Sequence, residues 1–429
     1  MINNFIIGTI TDIAEVNPQQ PLPKGIVSKK IPMENVQIFN RKITGYEDTQ
    51  YKSGPKFKNG DTLLAKITPC LENGKTALVD ILDIDEVAFG SSEFIVLRPK
   101  NSSDKKFLYY FAISPLFRKR AISSMEGTSG RKRVNDNTLR NYKFQFPNPD
   151  LRENIGDTLS LLDDKIELNN NINSQLELVA KHIFDYWFIQ FDFPDKNGKP
   201  YKSSGGAMTW NDKLKKEIPE GWNFLSLANL IGESKNGDWG SDTPSGKSDQ
   251  SFCIRGSDIN GLNGIENFDP PIRYIDKSHC NRQLKPDDLI IEISGGSPTQ
   301  STGRMAHISS EVLARLGNKV VCSNFCKAIS LKNPKLSFVI SRYWTHLYNS
   351  KVFFNYEGKT SGIKNLLFDQ LSKDVTIAIP TDEGIINEYY NLEENIDKQK
   401  QNNLQQNEEF AKLRDWLLPM FMNGQVKTN

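Results

Sequence analysis

Apolar positions along this chain follow two different rules. Over residues 151–190, Ile155, Leu159, Leu162 and Ile166 alternate by four and three, and Ile172, Leu176, Val179, Ile183 and Trp187 continue the series. Over residues 382–418, Tyr389, Leu392, Ile396, Leu404, Ala411 and Leu418 mark a second seam of the same kind. This spacing predicts two long helices of coiled-coil character. At 1.5 Å of rise per residue, each spans roughly 50–60 Å. Asp150 with Glu153 predicts a capping box for the first, Thr381 a cap for the second, and Pro419 the second helix's end. Both middles are polar, at Asn169, Asn170, Asn171 and Asn173 in the first and over 398–406 in the second. Polar seam residues reduce stability and fix register. The two helices are expected to pair antiparallel and to hold a globular domain at either end, related by approximate two-fold symmetry.

Elsewhere the apolar runs are short and broken by Gly, Pro, Asn and Asp. Runs at 62–67, 93–97, 288–293 and 320–331 predict strands, and patches at 105–123 and 334–349 predict helices. Apolar runs ending in proline, at 142–147 and 375–380, precede each long helix. These features recur with an offset of about 230 residues. Gly60-Asp61-Thr62-Leu63-Leu64 matches Asp287-Asp288-Leu289-Ile290-Ile291, and Ser92-Glu93-Phe94 matches Ser323-Asn324-Phe325. Glu126-Gly127-Thr128-Ser129-Gly130 matches Glu357-Gly358-Lys359-Thr360-Ser361-Gly362. Ala180-Lys181 with Asp185-Tyr186-Trp187 matches Ala411-Lys412 with Asp415-Trp416. The fold class expected is α+β, an internal repeat of two mixed α/β domains separated by two long antiparallel helices. The divisions are 1–149 for the first domain, 150–191 for the first helix, 192–381 for a linker and the second domain, and 382–429 for the second helix and tail. The stretch 192–222 is rich in Gly, Pro, Lys and Ser, a linker composition.

The composition is that of an ordinary globular protein, and 54 basic against 52 acidic residues leave a net charge of only +2. A nucleic-acid coat protein is far more basic, so any nucleic-acid surface here must be local. No basic region, apolar run and cleavage site mark the N-terminus, and no stretch approaches the roughly 20 apolar residues that span a bilayer. A cytoplasmic location without membrane attachment is expected. Five cysteines, an odd number, argue against a disulfide framework. Cys322 and Cys326 lie in a strand-like run and read as packed thiols rather than zinc ligands.

Several fragments imitate catalytic motifs and fall short. Gly74-Lys75-Thr76 and Gly358-Lys359-Thr360 resemble the end of a phosphate-binding loop, but Pro69 and Phe353 occupy the positions of its first glycine. Asp269-Pro270-Pro271-Ile272 lacks the aromatic residue that stacks on a flipped adenine. Pro286-Asp287 with Glu292 resembles a metal nuclease core whose lysine is replaced by Ser294. None of the four histidines has a convincing nucleophile arrangement around it. No catalytic residue, metal site or cofactor is assigned to the chain.

Two kinds of loop suit DNA better. The turn after Glu126 carries Ser129, Arg131, Lys132 and Arg133, and the turn after Glu357 carries Lys359, Ser361 and Lys364. Glycines admit backbone N–H groups to phosphate oxygens, and hydroxyl and basic side chains add donors. A second pair of loops spans 68–76, with Lys75, and 295–304, with Ser297, Gln300 and Arg304. Gln and Arg have the donor geometry to read adenine and guanine edges. Ile363 stands where the first copy has Arg131, so the two turns are not equivalent.

Thr68-Pro69-Cys70-Leu71-Glu72-Asn73-Gly74-Lys75, the 294–304 run, the paired Thr-Ser-Gly turns and Ile218-Pro219-Glu220-Gly221-Trp222 together resemble the specificity subunit of type I restriction-modification enzymes. The resemblance covers nearly the whole chain. It implies that each domain is a target recognition domain reading one half of a split site in double-stranded DNA, with the helices as a ruler. It implies docking of two adenine methyltransferase subunits that bind S-adenosylmethionine, and of motor-nuclease subunits that use ATP and magnesium. The competing readings are an orphan DNA-binding protein without restriction partners and a nuclease using Asp287, Asp288 and Glu292.

Overall fold

A computed structural model describes residues 5–426 except Ser129, Lys213, Glu266, Asn267, Pro298, Asn318, Ser361 and Gly362, and except the side chains of Lys359 and Thr360. Contacts divide the chain into two units, residues 1–167 with 407–429, and residues 168–406.

In the first unit a four-stranded antiparallel sheet has the order Ala14–Val16, Phe94–Pro99, Thr62–Ala65, Thr76–Leu78. Thr62–Ala65 is buried along its length, in keeping with the consecutive apolar residues Leu63, Leu64 and Ala65 in place of an alternating pattern. Helix Lys105–Ile113 packs on this sheet with every residue from Phe107 to Ile113 buried. Ser114 ends it and starts another helix, Pro115–Ser123. Its hydroxyl accepts the Phe117 N–H at 3.3 Å, and Pro115 needs no donor in the first turn. The single helical patch expected over 105–123 is therefore two helices. A second sheet has the order Glu47–Gln50, Val27–Ile31, Ala88–Gly90, Lys56–Phe57, its middle pair parallel. Phe5–Thr9 pairs with Lys143–Pro147, which leads into the first long helix.

The second unit repeats this plan. Its four-stranded sheet has the order Ile231–Asn236, Cys326–Leu331, Asp288–Glu292, Met305–Ile308, again all antiparallel. Ser248–Ile254 pairs antiparallel with Ile272–Asp276 and parallel with Lys319–Cys322. Trp222–Ser226 pairs with Thr376–Pro380 as Phe5–Thr9 does with Lys143–Pro147. The repeat read from sequence is thus a repeat of topology. Cys253, Cys322 and Cys326 are buried, and burial pushes the thiols of Cys253 and Cys326 up to about 12.

The stretch 192–222 is not a flexible tether. Phe193 stacks on Tyr201 at 4.6 Å and on Trp222 at 5.3 Å, and Asp192 accepts the backbone N–H and the hydroxyl of Ser203 at 2.7 and 2.6 Å. Met208–Asn211 and Lys216–Pro219 form a hairpin. The aromatic residues override the glycine- and serine-rich composition.

The first long helix is Pro149–Phe184, continued by a π-helical turn, Asp185–Ile189. Asn148 caps it by accepting the Leu151 N–H at 2.9 Å, in place of the expected Asp150–Glu153 box, because Pro149 already occupies the first helical position. The second is Glu383–Met422, capped by Asp382, which accepts the Gly384 N–H at 2.7 Å. Thr381 instead donates to the Gly221 carbonyl. The helix also passes through Pro419, which was expected to end it. An interior proline costs about 3 kcal/mol, but Phe421 and Met422 beyond it are buried in the first unit's core. Burying such side chains contributes about 1.5–3 kcal/mol each, so packing wins.

Within each unit the two helices run antiparallel. In the first, Asp163 meets Arg414 at 2.7 Å, while Ile155 and Leu159 share a core with Leu418. In the second, Asn169 donates to Gln406 at 3.3 Å, Asn173 to the Lys400 carbonyl at 3.3 Å, and Asn403 to Asn173 at 2.8 Å. The polar middle is a ladder of side-chain hydrogen bonds, since a buried amide must find a partner.

Polar junctions join each sheet-bearing part to both helices of its unit. Arg342, on helix Ser337–Asn349, donates to Glu393 at 2.9 and 3.0 Å and pairs with Glu177. Lys400 adds a contact to Glu177 at 2.6 Å, and Tyr389 donates to Glu393 at 2.7 Å. In the first unit, Tyr110 and Arg414 both donate to Asp163, and Arg41 pairs with Asp164.

Removing one member of a buried pair strands the other charge. Arg342→Ala leaves Glu393, only 2% exposed, without its cation, and should destabilise the second unit by about 3–5 kcal/mol. Urea unfolding followed by circular dichroism measures this, and a loss below about 1 kcal/mol contradicts the junction's role. Burial raises the Glu177 carboxyl, but Arg342 and Lys400 outweigh it and hold the group down at about 2. A depressed carboxyl contributes stability that is present above the unfolded value, about 4.3, and lost as pH falls toward 2. Because the Glu177 side chain is 46% exposed, its contribution is about 1 kcal/mol after screening. Glu177→Gln should lower the melting temperature at pH 7, with the difference from the parent shrinking between pH 5 and pH 2.

Candidate nucleic-acid interface

Backbone register puts the two units into residue-by-residue correspondence. Gly60 and Asp287 both have positive φ, at 91° and 68°, just before the central strand. The next residues, Asp61 and Asp288, accept the N–H groups of Lys58 and Lys285 at 2.9 and 2.8 Å and pair with Arg98 and Lys235. Counting along the strand, Ala65 corresponds to Glu292. Ala65 lies opposite Phe94 and Glu292 opposite Cys326, so Glu93 corresponds to Phe325. The Lys66 N–H donates to the Glu93 carbonyl at 2.8 Å, and the Ile293 N–H to that of Phe325 at 2.9 Å. The match of Ser92-Glu93-Phe94 with Ser323-Asn324-Phe325 read from sequence is therefore out by one residue. Similarity of letters had aligned Phe94, buried at 2%, with Phe325, exposed at 54%. Ile67 bridges Arg133 and Ser294 pairs with Asn365, so Arg131, Lys132 and Arg133 correspond to Ile363, Lys364 and Asn365. Leu64 lies opposite Thr76 and Ile291 opposite Met305, so Lys75 corresponds to Arg304.

In the first unit the 68–75 loop and the turn after Glu126 are neighbours, because the Thr68 N–H donates to the Lys132 carbonyl at 3.0 Å. Arg131 and Lys132 are exposed, and among the described residues neither side chain has an ion-pair partner. Arg133 is held differently. Its Nε and Nη2 donate to the two Glu93 oxygens at 2.9 and 2.8 Å, and this pairing holds the Glu93 carboxyl below the usual carboxylate range. The edge formed by Nη1 and the second Nη2 hydrogen is not used in that pair. Lys75 points its ammonium to the Met33 carbonyl at 2.9 Å rather than outward. Gly74, at φ 85°, lets the Phe39 ring lie against the loop, since a Cβ there would come within 2.6 Å of the ring. Arg118, which no motif marks, stacks on Phe39 at 4.6 Å and donates to the Glu72 carbonyl at 2.8 Å. Ser129 lies outside the described residues.

In the second unit Ser297, Arg304 and Lys364 line one cleft of about 1270 Å³. The loop between Gly295 and Arg304 is clamped from below. Trp344 donates to the Gly303 carbonyl at 2.6 Å, Tyr348 to that of Ser301 at 3.0 Å, and the Thr302 N–H to Glu357 at 2.9 Å. Gln300 is exposed on this loop, its N–H bonded to the Ser297 hydroxyl at 3.1 Å. The charges of the cleft are matched internally. Arg304 grips Glu292 at 2.9 and 2.7 Å, Lys364 meets Glu357 at 2.8 Å, and Arg255 meets Asp258 at 2.8 Å. A Cβ on Gly295 would come within 2.4 Å of the Glu292 carboxylate, so the glycine is required there. Trp239, Phe325, Phe354 and Ile363 supply the cleft's apolar surface, and sequence reading missed the first three. Ser361 and the Lys359 side chain lie outside the described residues. Asp287, Asp288 and Glu292 have separate partners: Tyr390 with Ser337 and His307, Lys235 with Ser330, and Arg304. Among the described residues no group of three His, Cys, Asp or Glu is placed to hold a metal ion.

Two recurring sheets, paired loops and long helices now stand beside known proteins. Residues 4–178 match the type I restriction modification DNA specificity domain. Residues 4–178 thus carry a type I specificity domain. It is 31% identical over 137 residues to the type I restriction enzyme MjaIX specificity subunit of Methanocaldococcus jannaschii, a match covering 31% of this chain and 28% of that one. It is 30% identical over 162 residues to the HindI specificity subunit of Haemophilus influenzae, covering 37% and 34%. The chain thus matches about a third of the length of these curated relatives. The fold likeness extends further. The crystal structure of a type I restriction-modification S subunit from M. genitalium aligns over 98% of this chain and 97% of that one, with a TM-score of 0.57 at 14% identity. Among the described residues no helix is long and apolar enough to cross a membrane.

Proposed function

We propose that this chain is the DNA-reading subunit of a type I restriction-modification complex, each unit contacting one half of a split site in double-stranded DNA. The observation that carries the reading is the pair of corresponding loop sets on repeated sheets, alike in backbone and different in side chains. In the first unit Arg131 and Lys132 contact phosphates, while Glu93 orients Arg133 so that its remaining edge meets the O6 and N7 acceptors of a guanine. In the second, the cleft with Ser297, Arg304 and Lys364, and Gln300 on its loop, faces the bases. Ser129, Lys359 and Ser361 complete the proposed contact set, whereas Lys75, expected from its loop to join it, is turned to the Met33 carbonyl and is left out. Adenine methyltransferase subunits, two per chain, dock on the long helices. Leu168, Ile172, Leu178 and Val179 there are between 37% and 50% exposed, an unusual apolar load for a helix surface. Motor-nuclease subunits join that assembly. S-adenosylmethionine, ATP and magnesium belong to the partners, and the complex works in the cytoplasm.

The test is the adenine-methylation map of the source genome with and without this gene. Loss of methylation at one split, asymmetric motif is the expected result. An unchanged map, with the protein expressed, contradicts the reading. In the reconstituted complex, Arg131→Ala or Lys132→Ala should weaken binding to all duplexes alike and lower the slope of log K against log salt by about one unit. Titrations at several salt concentrations measure this, and an unaltered slope removes the loop from the interface.

A further inference from the structure

At one place in the two units the backbone is the same and the chemistry is opposite. Glu93 and Phe325 occupy corresponding positions, each with its carbonyl accepting an N–H from the central strand's continuation. Arg131 and Ile363 also correspond, by the register of the two turns. Two charged side chains of the first unit are therefore apolar in the second. There they are exposed, Phe325 at 54% and Ile363 at 50%, and both line the cleft with Trp239.

Phe325 is not a loose residue. Its carbonyl accepts from Ile293 and Ser294 at 2.9 and 3.1 Å, the Ser323 N–H donates to Ile254 at 2.9 Å, and the Cys326 N–H donates to Ser323 at 2.8 Å. Ser323 and Cys326 are each 1% exposed. Trp239 is fixed beside it in the lining, its ring under the Arg273 guanidinium at 4.4 Å and its carbonyl accepting from Arg273 at 2.8 Å. The cations of the cleft are already committed to carboxylates, which leaves rigid apolar surface as its distinctive offering. On the edge of a base pair in the major groove, the one apolar feature is the 5-methyl group of thymine. A ring seated on a short turn between two core strands suits that methyl better than insertion between bases, which uses a protruding wedge.

Resting on the function proposed above, we infer that Phe325 is a specificity-determining residue that reads a thymine methyl in the half-site of the second unit. The test uses the full chain with its methyltransferase partner and a duplex carrying the site found by methylation mapping. Each thymine is replaced singly by uracil, which pairs identically and lacks only the methyl. One uracil position, in one half only, should weaken binding about fourfold, the worth of one buried methyl-sized group. Phe325→Ala should bind the thymine and uracil duplexes equally at that position and match the parent at every other. Indifference of the parent to every uracil, or discrimination retained by Phe325→Ala, overturns the inference while the split-site reading stands. Failure of the complex to bind any split site overturns both.

Discussion

Arg342 lies where three helices of its unit meet, and its guanidinium can be satisfied only if all three are in place. Glu393 comes from one long helix, Glu177 from the other, and the arginine from the helix packed on the sheet. In the first unit Asp163 plays the reciprocal part, a carboxylate on the first long helix receiving Tyr110 from the sheet-bearing part and Arg414 from the second long helix. The sign of the central charge is reversed, but the constraint is the same. Taking a charge out of water costs several kcal/mol unless geometry is good on every side. An apolar interface between smooth helices tolerates sliding by a turn, whereas these junctions do not. The asparagine ladder of the second unit adds the same kind of constraint between the helices themselves, since each amide is satisfied in only one register. Within each unit, the loops are thereby placed relative to the helices by electrostatics rather than by area alone.

The loops show the same economy at smaller scale. Between Gly295 and Arg304 the chain has almost no apolar side chain to bury, yet it is held by an indole, a phenol and a carboxylate that reach it from elsewhere in the unit. Gly295 and Gly74 are needed because another group occupies the space of their Cβ, a carboxylate in one case and a ring in the other. A loop ordered before binding does not lose that freedom again on binding. The difference between Arg131, exposed and without an ion-pair partner among the described residues, and Arg133, gripped by Glu93, follows the same logic. The first can follow a phosphate, and the second presents a fixed edge.

How much of this is written in the residues depends on the range of the interaction. The long helices are legible because apolar residues repeat at helical spacing, although Ile172 and Val179, placed in the seam by that spacing, are 37% and 48% exposed while Asn169 and Asn173 face the other helix, and the recurrence of sheets is legible because buried strands keep their apolar character. End points are not. Asn148 displaces Asp150 as a cap because Pro149 claims the first turn, and the second helix runs through Pro419 because the core beyond it outweighs a local rule. Phe193, Tyr201 and Trp222 turn a linker composition into an aromatic meander through contacts up to 29 residues apart, from 193 to 222. The one-residue error in matching Phe94 to Phe325 has the same origin. Register is set by strand pairing, and a single-position slip moves a side chain from core to surface. Of the candidate contacts, Ser297, Arg304 and Lys364 were visible as a glycine-rich loop and a basic turn. Trp239 and Phe325 were not, because only tertiary structure brings them to the same cleft.

Near-neutrality then acquires a structural meaning. A net charge of +2 on 429 residues gives little general attraction to a polyanion. In the second unit's cleft even the cations present are matched by Glu292, Glu357 and Asp258. In the proposed DNA-reading role, a surface built in this way contributes little to binding that ignores sequence, so discrimination would depend on a few side chains held at fixed places. Those places are fixed by backbone hydrogen bonds, from Lys66 to Glu93 in one unit and from Ile293 to Phe325 in the other, which do not depend on what the side chain is. A scaffold that fixes position without fixing identity is free to place a carboxylate on one copy and a phenyl ring on the other. In the function proposed above, this is how two copies of one fold would recognise two different halves of a site.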